Sequence, residues 1–127
     1  MEYIVLIHSN PQPWGHPTSD YVREHQDLPQ EQRDALNAEF EALFAQMQEA
    51  GELLGGEALG DPTAATVHRW DAGSRTQSAG PYAETKEHRA GFFVIDVASA
   101  ERAREIADKM AGPGETVELR PAMWPSG

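Results

Sequence analysis

The sequence predicts an α+β domain in which two helices cover one face of an antiparallel sheet. Three observations carry that expectation. Short apolar runs at residues 3–8 and 91–97 have the length and the β-branched and aromatic content of buried strands. Two longer stretches, 29–50 and the one opened by Ser99, place their apolar residues at helical spacing. The elements then alternate as strand, helix, strand, hairpin, strand, helix, strand. Without the hairpin this is β-α-β-β-α-β, the split βαβ order of ferredoxin-like folds.

Taken in order, the first strand ends at Ser9-Asn10-Pro11, because proline has no N–H to give a ladder. A polar connection follows to Asp27, with Pro11, Pro13, Gly15 and Pro17, and a short helical turn is expected around Tyr21 to His25. In the first helix Leu36, Phe40, Leu43, Phe44 and Met47 line one face. Asp27 with Gln30 forms a candidate capping box, and Gly51 stops the helix. Residues 52–59 read as a strand interrupted by Gly55-Gly56, in which strict alternation sets Glu57 on the face of Leu53 and Gly55. After the Asp61-Pro62 turn, residues 65–70 and 75–78 flank Asp71-Ala-Gly-Ser74 as a hairpin. Ser99 caps a second helix with Ala103, Ile106, Ala107 and Met110 on one face, Gly112-Pro113-Gly114 ends it, and 115–121 is the last strand. Strands such as FFVIDV are apolar on nearly every residue, so the sheet face without helices also needs burial, and a face-to-face homodimer is expected.

Bulk properties narrow the function classes. At 127 residues the chain is expected to be one domain, 1–127. A net charge of −11 argues against a nucleic-acid partner, whose phosphates it would repel. With no cysteine there is no disulfide framework, thiolate metal site or cysteine nucleophile, which fits a cytoplasmic setting. The first residues lack the basic start of a signal peptide, and no run approaches the ~20 apolar residues of a membrane span, so a soluble chain with no membrane association is expected.

Residues 79–87, AGPYAETKE, together with YIVLI, AGELLGGEALGDPTAATVHRW, GFFVIDV and VELRP, carry a family likeness. The chain resembles the YCII-related family, in the branch named for a loop usually written DGPFAETKE, which it matches at seven of nine positions. The resemblance implies a dimeric α+β barrel. It also implies proton-transfer chemistry on small ring compounds in related members, a His-Asp pair in the namesake branch, and for some members a link to alternative sigma factors. The departure that matters is Ala79, which stands where the branch has an aspartate and can neither take a proton nor hold a metal.

Chemistry must then come from other residues. His88 is a candidate catalytic group because imidazole titrates near neutral pH, with Glu84 or Glu87 placed to orient it. Glu57, after two glycines, is the second: a carboxylate turned into an apolar barrel would have a raised pKa. Tyr82, Trp14, His8 and Arg69 are candidate substrate contacts, the tyrosine through its hydroxyl and the arginine by pairing with a carboxylate. The five histidines, at 8, 16, 25, 68 and 88, form no metal-ligand spacing, and no glycine pattern cradles a phosphate, so no metal or cofactor is expected. The leading expectation is a cofactor-free lyase or isomerase working on a small-molecule ligand. A non-catalytic binding or regulatory dimer, or a pathway accessory protein, is the alternative.

Overall fold

The computed structural model describes residues 1–14, 21–82 and 87–124. Its centre is a four-stranded antiparallel sheet made of β1 (Glu2–Ser9), β2 (Leu53–Ala58), β5 (His88–Asp96) and β6 (Thr116–Pro121), in the order β2-β5-β1-β6. That order, with long helices α2 (Gln30–Glu49) and α3 (Ala100–Met110) as crossovers, is the ferredoxin-like arrangement the sequence predicts. The hairpin of β3 (Thr66–Asp71) and β4 (Ser74–Ala79) forms a separate two-stranded sheet. Its turn holds Ala72 and Gly73 at φ of 49° and 83°, the pair of left-handed residues that a tight hairpin of this twist needs. Among the described residues no helix is long and apolar enough to cross a membrane.

Alternation on the strands sorts side chains to two faces. Tyr3, Val5, Ile95 and Val97 point to the helices and pack against Leu43 and Met47 of α2 and Ala103, Ile106 and Met110 of α3, all essentially buried. Ser99 caps α3, its Oγ accepting from the Arg102 N–H at 3.1 Å, as its sequence position predicts. The capping box on the first long helix does not form. Pro29 is the residue before α2 and no side chain caps it, while Asp27 instead closes the four-residue helix α1 (Arg23–Gln26). Pro29 takes that position because it has no N–H to leave unsatisfied and a fixed φ suited to a helix start.

One half-buried ion pair ties the crossovers together. Arg102 of α3 donates from Nε and Nη2 to the two carboxylate oxygens of Glu52, at 3.0 and 2.9 Å, just before β2. The Glu52 hydrogen bonds hold the guanidinium above its usual pKa.

The second sheet face carries Ile4, Leu6, Phe92 and Val94, which are half-buried, and Leu54, which is 50% exposed. Glu118 and Arg120 of β6, paired at 2.7 Å, stand in register with Leu6 and Ile4. No element of the described chain packs over this face as α2 and α3 pack over the other.

Near the β2 end of the sheet two glycines leave no room for a side chain. A Cβ on Gly91 would lie 2.8 Å from the Glu57 carbonyl oxygen, and one on Gly56 would lie 2.5 Å from that of Phe92. Strands β2 and β5 therefore meet with bare backbone at this point, and both glycines are a packing requirement. Gly91→Ala should push β2 away from β5 and destabilise the chain by about 1–3 kcal/mol. Urea denaturation of the two proteins checks this, and an unchanged midpoint would contradict it.

Candidate functional site

Beside that glycine contact the sheet and helices separate. Gly56, Ala58, Ala90 and Gly91 make a floor of small residues, and the facing part of α2 presents Leu36 and Phe40. The stripe read from the sequence of α2 is thus divided: Leu43 and Met47 enter the core, whereas Leu36 and Phe40 roof an unfilled space. The result is a cavity of about 670 Å³, within the range that takes a small organic molecule. Its far wall is the end of α3 and the following turn, residues 108–113, and its near wall is Pro11, Trp14 and His25 of the connection after β1.

Trp14 is fixed at one corner. Its indole N–H donates to the Leu59 carbonyl at 3.0 Å, and its ring meets His88 edge-on with centroids 6.4 Å apart. His88, half-buried at the start of β5, therefore stands behind the wall residue and not in the lining. Asp61 is an exposed acid in the turn before β3. Its carboxylate accepts from the backbone N–H and the hydroxyl of Thr63, each at 2.9 Å. Those two bonds, with the attraction of His88 as a smaller contribution, hold its pKa below the usual carboxylate value. The sequence marks Asp61-Pro62 only as a turn, and the structure shows its carboxylate closing the short helical turn that begins at Pro62. Of the two acids expected to orient His88, Glu87 instead accepts a hydrogen bond from the Thr116 hydroxyl at 3.2 Å, and Glu84 lies outside the described residues.

Glu57 borders the cavity on the edge strand and is exposed. The alternation that would put it with Leu53 is broken, because a bulge between Leu53 and Gly55 shifts the register. Leu53 pairs with Ile95 and packs on the core, whereas Glu57 pairs with Phe92. Leu53 and Glu57 consequently lie on opposite faces. The Glu57 side chain thus stands exposed on the edge strand, outside the apolar enclosure expected for it.

The other expected contacts are dispersed. Tyr82, 77% exposed, is covered by the Arg69 guanidinium 5.0 Å above its ring, so these two residues satisfy each other beside the hairpin. His8 is on β1, in register with Arg89 and Thr116 and outside the cavity lining. Ala79 ends β4, exposed and opposite Thr66, and Gly80 after it donates to the Ala65 carbonyl at 2.7 Å. The residue that replaces the expected acid thus belongs to the hairpin base and not to the cavity. Among the described residues no cluster of His, Asp and Glu is arranged to hold a metal ion.

Sequence reasoning missed Ser9. It is 2% exposed, lines the cavity, and its Oγ has no hydrogen-bond partner among the described residues. The available signal was its place in β1, where it follows Tyr3, Val5 and Ile7 on the core-facing side, so that a hydroxyl continues an apolar row.

The family model described as the YCII-related domain matches residues 1–120. The chain is also 33% identical over 94 residues to an uncharacterized protein of Rhizobium meliloti (strain 1021), covering 72% of this chain and 76% of that one.

Because the Asp61 carboxylate is depressed in the folded state, its stabilising contribution is complete above the ordinary value of 3.8 and disappears as pH falls through the lower folded value. Denaturation curves collected from neutral pH to below 3.8 should show the wild type losing more stability than Asp61→Asn over that window. Parallel curves for the two proteins would contradict the assignment.

Proposed function

Since the chain belongs to the YCII-related family, we propose that it is a small-molecule-binding protein acting as a homodimer, with the cavity between sheet and helices as its site. The observation that carries this reading is the cavity itself: about 670 Å³, floored by small residues and roofed by Leu36 and Phe40. Space of that size against apolar walls favours a compact ligand with apolar surface.

The finer reading is cofactor-free acid-base chemistry on such a ligand. His88 is the proton carrier, its ring set edge-on against Trp14 at the cavity corner. Glu57 is the carboxylate on the neighbouring edge strand, β2. Proton transfer to or from a bound ligand then needs His88 to reach past the indole. The placement of His88 behind Trp14 equally favours the second reading, a dimer that binds without turnover, in which case the same residues serve only the wall.

Two outcomes check these proposals. Titration with neutral one- and two-ring compounds, followed by two-dimensional NMR, should shift the amides of Ser9, Leu59 and Gly91 and the Trp14 indole. Shifts confined to Ile4 and Val94 would place binding on the other face and overturn the cavity reading. With any compound that is turned over, His88→Gln should abolish turnover and leave binding intact, whereas loss of both would contradict a role in proton transfer.

The dimer proposal rests on the apolar face of Ile4, Leu6, Phe92 and Val94, which a second copy would cover. Sedimentation should give a two-chain species that Leu6→Glu converts to a folded monomer. A wild-type monomer at all concentrations tested would exclude it.

A further inference from the structure

The cavity has a charge and a polar anchor that narrow its ligand. We infer that it is built for an aromatic or alicyclic ligand that is neutral or carries a protonated amine, with a hydrogen-bonding group directed at Ser9, and that it rejects carboxylates and phosphates. The inference rests on the cavity reading above and adds the ligand's class.

The first observation is electrostatic. Four carboxylate residues, Glu39, Glu41, Asp108 and Glu115, line the space against one ammonium, Lys109, while Glu57 borders it on β2 with its side chain on the other sheet face. Lys109 is itself engaged by Glu105 at 3.4 Å. An anionic ligand entering here would meet like charge on α2 and around the end of α3, in a chain already carrying −11. Among the described residues the lining presents no arginine to offset this. A cationic group at the mouth gains from the same field.

The second observation is independent of charge. Ser9 Oγ is buried, lines the cavity and has no hydrogen-bond partner among the described residues. A buried hydroxyl without a partner is costly, and a bound ligand that supplies one removes the cost. Being uncharged, the hydroxyl can donate or accept, which suits an alcohol, amide or ring heteroatom.

The test uses the full chain and a naphthalene ring carrying an aminomethyl, a hydroxymethyl or a carboxylate group. Calorimetric titration should show the amine and alcohol binding about tenfold or more tighter than the carboxylate. Added salt should narrow that gap. Equal or tighter binding of the carboxylate would overturn the charge assignment while leaving the cavity reading intact. Failure of all three to bind would overturn both.

Ser9→Ala should weaken the alcohol by about fivefold and leave methylnaphthalene unchanged. Equal effects on the two probes would remove Ser9 from ligand recognition. Removing an unpartnered hydroxyl is not expected to unfold the chain.

Discussion

The close approach of β2 and β5 at Gly56 and Gly91 is the constraint from which the rest of this architecture follows. Two backbones pass so near that a Cβ on Gly91 would fall 2.8 Å from a carbonyl oxygen, so neither glycine can carry a side chain. The end of the sheet is therefore flat and bare on its helix side, while its middle carries Val5, Phe93 and Ile95. A helix packed on that middle has nothing to pack on beyond it. Leu36 and Phe40 continue the apolar stripe of α2 over the bare floor, and the space between them is the cavity.

The same geometry explains the distribution of polar groups. Ser9 and His25 are essentially buried at the cavity's inner wall, and the acids of α2 and α3 stand where it meets solvent. Trp14, held by the Leu59 carbonyl, closes the corner toward His88 and Asp61. Apolar walls, one buried hydroxyl and an acidic mouth make the proposed site one whose discrimination would rest on shape and charge. In the proposed reading binding and proton transfer are separable, because the lining could hold a ligand whether or not His88 reaches it.

Much of this fold is legible in the sequence because periodicity and punctuation agree. Helical spacing from Leu36 to Met47, strand runs at each sheet position and the cap at Ser99 all point to one topology. The exceptions have local causes. Asp27 was expected to cap α2, but Pro29 occupies the start and Asp27 belongs to the short helix before it. Alternation failed on β2 because a bulge is invisible to a period of two, and this moved Glu57 to the other face from Leu53.

The site is less legible than the fold for a related reason. Trp14 and Glu57 border the cavity as residues of unusual type, which sequence reading finds. Ser9, Leu36 and Gly91 are ordinary residues that line the cavity because of what does not pack against them, and absence of packing has no sequence signature. The direct test of the account fills the cavity from its floor with Ala58→Phe and measures both stability and binding of a neutral aromatic probe. The account predicts that binding is lost while stability is kept or raised, since the ring enters empty space beneath Leu36 and Phe40. Undiminished binding would contradict it.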